Sequence, residues 1–183
     1  VFTNLTQDHL DYHKTLENYK LAKAKLFDLV SAAGAKEGKT AVVNIDDAAG
    51  ATMLEHAKCA QLTYAIHQQA SLQAVDIDVL ASGANFSLLG AFGRMDLRLK
   101  ITGIFNVYNV MSAVGAALAE HIDAKIIEEA LQEFRSVPGR FELVDEGQDF
   151  SVIVDYAHTP DGLENILHTA KKKKKKRIIT VFG

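Results

Sequence analysis

One lysine lies where the sequence predicts a buried helical surface. In a helix over residues 16–30, with 100° of rotation per residue, the apolar side chains fall in one stripe, and Lys23 falls inside that stripe. The stripe consists of Leu16, Tyr19, Leu26, Phe27 and Val30. An ammonium group is costly to bury unless a partner or a chemical change offsets the cost. A lysine that burial keeps neutral can add carbon dioxide, and the resulting carbamate offers the anionic oxygens that Mg²⁺ prefers.

The polar segment before this helix allows three interpretations. It contains Asp8, His9, Asp11 and His13. These residues form a solvated loop, or a zinc site, or a metal site shared with Lys23. The two histidines are four residues apart, as in metalloprotease helices, but Leu10 stands where that motif requires glutamate. The spacing therefore disfavours zinc and leaves the other two interpretations open.

A possible phosphate-binding motif at Gly38-Lys39-Thr40 is rejected. The P-loop pattern requires a glycine five residues before Gly38, where this chain has Ala33. The order of elements is also wrong, because a P-loop opens a helix whose amides meet the phosphates. Here Thr40 enters a predicted strand.

Two further segments carry candidate ligand-binding side chains. Residues 155–160, Asp-Tyr-Ala-His-Thr-Pro, lie between a predicted strand and a predicted helix, where open α/β sheets bind ligands. Asp155 there is either an acceptor for ribose hydroxyls or a turn former, and Tyr156 or His158 could contact a base or phosphate. Asn106 and Asn109 share one surface of an apolar helix, where they either cap the helix or contact a purine edge.

The elements that must position these residues alternate between strands and helices. Strands are predicted over residues 40–44, 61–66, 75–79, 85–89, 95–101 and 150–155, and helices over 48–58, 106–121 and 124–134. Asp47 is predicted to cap the first of these helices. Thr159 and Pro160 predict a helix start, and a last strand over 178–183 would complete a βαβ unit. The proline-containing stretch 136–140 predicts a domain junction.

Composition excludes several classes of protein. The single cysteine, Cys59, rules out an internal disulfide and a cysteine-rich zinc site. No apolar run is long enough to span a membrane, and no signal peptide is recognisable, so a cytoplasmic location is expected. Six of the 20 basic residues form the run 171–176. Since that run follows a helix, it is interpreted as a solvated helix end rather than a nucleic-acid site.

Taken in order, these segments resemble the Mur ligase family of ATP-dependent amide-forming enzymes. The resemblance covers essentially the whole chain and is strongest to the members that add the third amino acid of the peptidoglycan peptide. It rests on residues 3–13 (TNLTQDHLDYH), 22–23 (AK), 44–47 (NIDD), 105–109 (FNVYN), 138–140 (PGR) and 155–160 (DYAHTP). Any one of these motifs is weak evidence, whereas the ordered set is specific.

The resemblance implies a role for each site residue. His9 and a carbamylated Lys23 would bind Mg²⁺ and so form the catalytic centre. Asn106 and Asn109 would lie beside the adenine of ATP, with Asp155 on the ribose. Arg140 and His158 would approach the nucleotide from the C-terminal domain.

The family also implies a fold, substrates and a mechanism. The expected fold is α/β, with part of a central ATPase-like domain over residues 1–136 and the first βαβ unit of a Rossmann-like C-terminal domain over 137–183. The expected substrates are ATP, a UDP-N-acetylmuramoyl-dipeptide and a free amino acid, joined through an acyl phosphate by a monomeric enzyme. Which third amino acid is used, lysine, diaminopimelate or another, is left open.

The absence of a P-loop and of a UDP-sugar domain predicts that the chain is an excerpt without ligase activity of its own. Two alternatives remain at this stage: a folylpolyglutamate synthetase-like ligase, and a non-catalytic nucleotide-binding module.

Overall fold

A five-stranded mixed sheet forms the centre of the larger part of the chain. The computed structural model describes residues 1–6, 10–32, 34, 37–80, 83–144, 146–173 and 176–181. The strands are β1 (Thr40–Asn44), β2 (Ala60–Ala65), β3 (Leu72–Leu80), β4 (Gly83–Gly90) and β5 (Gly93–Leu99). Their order in the sheet follows their order in the chain. β1, β2 and β3 are parallel, whereas β4 and β5 are antiparallel to their neighbours.

Helices cover both faces of the parallel half of the sheet. The helices around the sheet are α1 (Leu10–His13), α2 (Leu16–Ser31), α3 (Gly50–His56), α4 (Ile104–Ala119) and α5 (Ala124–Glu133). The parallel strands are covered by α2, α3 and α4, whereas α1 packs on α2 and α5 packs on β5. On β1, Ala41 and Val43 join a buried cluster with residues of α2 and α3, while Val42 faces the other cluster with residues of α4. This burial on two faces explains why three apolar residues follow one another in the middle of β1, Ala41, Val42 and Val43, rather than alternating with polar ones.

Close packing fixes the distance between α4 and the sheet. A Cβ atom on Gly115 would lie 2.6 Å from Val42 Cγ1 and 3.1 Å from Leu62 Cδ2. A larger residue at this position would push α4 away from β1 and β2. The absence of a side chain at Gly115 therefore sets the height of the helix that carries Asn106 and Asn109.

A second, smaller sheet follows the predicted junction. Its two antiparallel strands are β6 (Glu142–Val144) and β7 (Val152–Val154), and α6 (Pro160–Lys173) follows them. Residues 137–140 form a tight turn with Pro138 and Gly139 at its centre, and the φ of 69° at Gly139 suits a type II turn. β7 lies within the predicted strand, whereas the three-residue β6 was missed.

The start of α6 confirms one predicted cap and the start of α3 corrects another. The Gly162 amide donates to Thr159 Oγ1 at 3.2 Å, and Pro160 is the first helical residue. By contrast, α3 begins at Gly50 with Ala49 as its N-cap and no side-chain cap. Asp47 instead accepts from the Ala49 amide at 2.8 Å, so it closes the turn before the helix rather than capping the helix itself.

The predicted strand over residues 178–183 does not form in its described part. Residues 178–181 carry no strand assignment, and Val181 is 91% exposed. A strand requires a neighbouring strand to pair its backbone groups, and the described partner of β7 is β6. The predicted βαβ unit is therefore seen as β7 and α6 alone, and residues 182 and 183 lie outside the described part.

The remaining strand and helix predictions are confirmed with shifted bounds. Thr40 enters β1, as the rejection of a P-loop at Gly38-Lys39-Thr40 required. Of the helices in the described part of the chain, none combines the length and apolar character needed to cross a bilayer.

Candidate active site

Lys23 lies at the edge of the core rather than inside it. The buried residues of α2 are Ala24 and Phe27, whereas Leu16 and Leu26 are 45% and 51% exposed. The predicted stripe was therefore too wide, because α2 packs its inner side against α3 and leaves its flanks in solvent. The Lys23 side chain is half-buried, and its amine lies 4.8 Å from the centroid of the Tyr19 ring.

An open cavity adjoins Lys23. Its volume is about 170 Å³, several times the roughly 30 Å³ that a water molecule occupies in the liquid. The lining residues are Val1, Phe2, Thr3, Asn4, Ala22, Lys23, Leu26 and Phe27. The cavity is open to solvent and has room for a carbamate on Lys23, and among the described residues its lining includes no Asp, Glu or His side chain.

The other predicted metal ligand cannot be placed, because His9 lies outside the described residues. Within the described ranges no three His, Cys, Asp or Glu side chains cluster as a metal site. The His13 ring stacks on Tyr19 with centroids 4.7 Å apart, so Tyr19 contacts both His13 and Lys23.

Asn106 and Asn109 are linked on the first turns of α4, but neither caps the helix. The N-cap is Gly103, without a side-chain cap, so the capping interpretation of Asn106 is wrong. Asn106 Nδ2 donates to the Thr102 carbonyl at 2.8 Å, and Asn109 Nδ2 donates to Asn106 Oδ1 at 3.2 Å. These bonds hold the two amides as one unit on the surface of the helix. That arrangement suits recognition of a flat ligand with donors and acceptors on its edge.

Asp155 joins the two loops that the sequence singled out near the junction. Its Oδ2 accepts from the Phe141 amide at 2.7 Å, and its Oδ1 accepts from the Ala157 amide at 2.7 Å. The Tyr156 amide donates to the Gly139 carbonyl at 2.9 Å. The 138–141 turn and the 155–158 loop are thus one unit. Each carboxylate oxygen has a second lone pair, so Asp155 retains acceptor capacity beyond this structural role.

This unit brings Arg140, Tyr156 and His158 together. The Arg140 guanidinium lies 5.2 Å from the centroid of the Tyr156 ring, and the His158 ring meets the same tyrosine edge-on at 5.0 Å. His158 Nδ1 lies 3.0 Å from the Tyr156 carbonyl oxygen, which can only accept, so Nδ1 carries the proton in this contact. The unit presents cationic and aromatic groups, a suitable combination for phosphates and bases.

An aromatic contact links residues 138–141 and 155–158, here called the junction unit, to α4. The centroids of the Phe105 and Phe141 rings are 6.4 Å apart. Phe105 directly precedes the predicted site residue Asn106, and Phe141 directly follows the predicted site residue Arg140. The structure therefore brings the start of α4 and the 138–141 turn to the same region.

Sequence reasoning missed the contact between Asp46 and Tyr108. The Tyr108 hydroxyl donates to Asp46 Oδ2 at 2.8 Å, and the Ile66 amide donates to the same oxygen at 2.6 Å. Burial raises the pKa of Asp46, but the amides of Ile66 and His67 and the Tyr108 hydroxyl outweigh it, so the pKa falls below its usual 3.8. Burial and then the Asp46 carboxylate raise the pKa of Tyr108. The polar residues Asn44, Asp46 and Asp47 after β1 were the available signal for this contact. Because such residues are common in turns, their spacing could not identify Tyr108 as the partner of Asp46.

The lowered pKa of Asp46 predicts a stability that depends on pH. A carboxylate with a depressed pKa in the folded protein stabilises it above the unfolded pKa, and this contribution disappears as pH falls through the folded pKa. We expect Asp46→Asn to lower the free energy of unfolding at pH 7, and this deficit to be smaller at about pH 3, because the lowered pKa of Asp46 means that its contribution is lost only as pH falls below 3.8. Urea unfolding at both pH values measures the difference, and an equal deficit at both would contradict the prediction.

Comparison with known proteins establishes the family. The model of the Mur ligase middle domain matches residues 1–117. The chain belongs to the Mur ligase family. A second model, "Mur ligase, glutamate ligase domain", matches residues 139–183. The similarity inferred from the ordered motifs is thereby confirmed.

Curated Mur ligases match the chain from end to end. UDP-N-acetylmuramoyl-L-alanyl-D-glutamate–2,6-diaminopimelate ligases from Syntrophomonas wolfei and Bacillus licheniformis are each 45% identical over 100% of the chain. The chain spans only 37% and 38% of their lengths.

Solved structures agree with the family assignment. A ligase structure of the same name is 35% identical, with a TM-score of 0.75 over 92% of this chain and 34% of its own. MurF from Acinetobacter baumannii matches with a TM-score of 0.80 at 23% identity, over 91% of this chain and 36% of its own. A mutant of L. casei FPGS matches with a TM-score of 0.73 at 18% identity, over 96% of this chain and 42% of its own. The last two show the fold alone, and together they confirm the α/β architecture.

Proposed function

We propose that the chain is the nucleotide-binding part of a ligase that adds 2,6-diaminopimelate to UDP-N-acetylmuramoyl-L-alanyl-D-glutamate. The observation that supports this most strongly is the 45% identity, over the entire chain, to relatives that carry this activity in their names. The third amino acid was open at the level of the motifs, and those names favour diaminopimelate. The reaction would consume ATP, release ADP and phosphate, and pass through an acyl phosphate on the dipeptide.

The described residues would contact ATP at two places. The linked amides of Asn106 and Asn109 would bind the adenine, and the contact between Phe105 and Phe141 brings them near the junction unit. Asp155 would accept from the ribose, and Arg140 and His158 would stabilise negative charge on the phosphates. These groups would bind and orient the nucleotide, because they are held by hydrogen bonds and ring contacts before any ligand arrives.

Lys23 and the predicted partner His9 would hold Mg²⁺. A bound Mg²⁺ would supply charge stabilisation for the phosphoryl group during transfer. The role of this chain would be to keep the Lys23 side chain at the cavity bordered by residues 1–4, in its carbamylated form. With most of the relatives' length beyond these residues, we expect the chain by itself to lack ligase activity.

We place the domain boundary at residues 136 and 137. The tight turn over residues 137–140 follows the end of α5, and the two family models leave residues 118–138 unmatched between them. Residues 1–136 would form the central domain, and 137–183 the beginning of the C-terminal domain.

A full-length ligase carrying these 183 residues tests the proposal. With ATP, Mg²⁺, the UDP-linked dipeptide and 2,6-diaminopimelate, we expect the UDP-linked tripeptide and ADP in equal amounts by mass spectrometry. Lysine in place of diaminopimelate is the substrate control. A reduced folate with glutamate tests the folylpolyglutamate alternative, and product from that pair alone would contradict the proposal. Nucleotide binding without any amide product would favour a non-catalytic module.

A further inference from the structure

The loop that follows β1 makes contacts toward both ends of the proposed site. Residues 44–47, here called the β1 loop, lie at the carboxyl end of a strand that is buried on both faces. Three of its four side chains are polar, and each of them makes hydrogen bonds to a segment remote in sequence. We infer that Asn44, Asp46 and Asp47 are positioning residues, with Asp46 orienting the adenine-binding helix and Asn44 and Asp47 orienting the wall of the Lys23 cavity.

Asp46 fixes α4 next to the two asparagines. The remaining described contacts of α4 with the sheet are largely apolar, through the buried residues Val107, Val110, Met111 and Val114. Apolar packing constrains distance well but is not directional. The Tyr108 hydroxyl adds a directional bond of 2.8 Å to a carboxylate that the Ile66 and His67 amides already hold. Since Tyr108 lies between Asn106 and Asn109 in the chain, this bond helps to fix the rotation at which their amides are presented, together with the side-chain hydrogen bond between Ser112 of α4 and Tyr64 of β2.

Asn44 and Asp47 fix the N-terminal segment. Asn44 is buried, and its Nδ2 donates to the Thr3 carbonyl at 2.8 Å. Asp47 Oδ2 accepts from the Leu5 amide at 2.9 Å. Residues 1–4 line the Lys23 cavity, and the segment continues toward His9. The same loop therefore holds the segment that leads to the proposed metal ligand.

The contact of Asp46 with Tyr108, here called the adenine branch, and the contacts of Asn44 and Asp47 with residues 3 and 5, here called the metal branch, use different side chains of the loop. The two branches can therefore be tested separately. This inference rests on the proposed function for its kinetic readout, but the contacts themselves can be measured without turnover. Tyr108→Phe removes only the hydroxyl of the adenine branch. Asp47→Asn removes one of two acceptor oxygens of the metal branch, because an amide nitrogen cannot accept from either the Leu5 or the Ala49 amide.

Steady-state kinetics of the full-length ligase separate the branches. For Tyr108→Phe we expect the KM for ATP to rise about threefold or more and the preference for ATP over GTP to fall, with the Mg²⁺ half-saturation unchanged. For Asp47→Asn we expect the opposite pattern, a raised Mg²⁺ half-saturation with unchanged base preference. Ser87→Ala is the matched control, because it removes a buried hydroxyl that donates to Asp96 at 2.6 Å within the β4–β5 hairpin, which supplies no residue to either branch. It should alter neither quantity.

Amide hydrogen exchange of the ligand-free proteins supplies the second readout. Tyr108→Phe should speed exchange at Ile66, His67 and residues 104–109, and Asp47→Asn should speed it at Leu5 and Ala49. If the two variants changed the KM for ATP and the Mg²⁺ half-saturation equally, or if neither variant changed either quantity, the inference would be overturned. If the wild type forms no amide product, the proposed function is wrong. In that case amide hydrogen exchange alone tests whether the β1 loop positions its neighbours. Unchanged exchange at residues 104–109 in Tyr108→Phe would then refute the positioning role of Asp46.

Discussion

Replacing Lys23 by alanine is expected to lower kcat/KM of the full-length ligase by at least about a thousandfold, with little loss of folding stability. Removing a group that stabilises transition-state charge typically costs two to three orders of magnitude, and losing a metal ligand adds to that cost. Stability should change little because the side chain is half-buried and its described contact is the Tyr19 ring 4.8 Å away. An exposed cation–π contact contributes about 0.5–1 kcal/mol.

The variant Lys23→Arg shows whether activity requires a carbamate at this position or only a positive charge. Arginine retains the charge and can still lie over Tyr19, but its guanidinium stays protonated and cannot add carbon dioxide. If the carbamate is required, Lys23→Arg is as inactive as Lys23→Ala. Near-normal turnover of Lys23→Arg would show that the cation itself is used. Lys25→Ala, an exposed lysine on the same helix, is the matched control and should retain activity.

Mass spectrometry tests the modification directly. The peptide containing Lys23 should carry the added mass of one carbon dioxide at neutral pH and lose it on acidification. A carbamate is negatively charged, and the face of the Tyr19 ring is also negative, so the modified side chain should leave the ring it contacts in the described structure. We therefore expect the modified Lys23 to extend into the adjoining cavity. An unmodified Lys23 in the fully active enzyme would contradict this account.

The sequence predicted local structure well where periodicity and turn chemistry act on neighbouring residues. β1 is recognisable from its β-branched apolar run, and the start of α6 from Thr159 and Pro160, because both signals are local. The predicted strand over residues 178–183 is not seen in residues 178–181, its described part, because a strand depends on a partner that local sequence cannot specify.

The site was predicted as a set of residues but not as a geometry. The family resemblance implied nucleotide-binding roles for Arg140, Asp155 and His158, yet the two amides that Asp155 binds belong to Phe141 and Ala157, which carry no chemical signal. Lys23 was noticed because it breaks a helical pattern, although its side chain borders a cavity instead of the core. Long-range contacts such as Asp46 with Tyr108 are set by tertiary packing, and no local rule predicts them.

Replacing Asp155 by alanine should weaken the link between the two loops of the junction unit, leaving the backbone bond from the Tyr156 amide to the Gly139 carbonyl. The substitution removes two charge-assisted hydrogen bonds of 2.7 Å, to the Phe141 and Ala157 amides. Phe141 also has a φ of 47°, a strained conformation that costs about 1–2 kcal/mol and persists only where its surroundings impose it. We expect the free energy of unfolding to fall by about 2–3 kcal/mol and the affinity for ATP to fall tenfold or more. Urea unfolding and equilibrium nucleotide binding measure the two effects.

Two companion variants separate the role of Asp155 in holding the two loops together from a direct contact of Asp155 with the ribose. Arg140→Ala removes the cation over Tyr156 and leaves both Asp155 hydrogen bonds, so it should weaken ATP binding while stability stays close to that of the wild type. Asp155→Asn keeps one acceptor oxygen for the two amides and leaves less acceptor capacity for a ligand. If Asp155 also binds the ribose, the wild type should prefer ATP to 2′-deoxy-ATP or 3′-deoxy-ATP, and Asp155→Asn should lose that preference. A variant that keeps it while losing stability would limit Asp155 to holding the loops together, and ribose recognition would then belong to another residue.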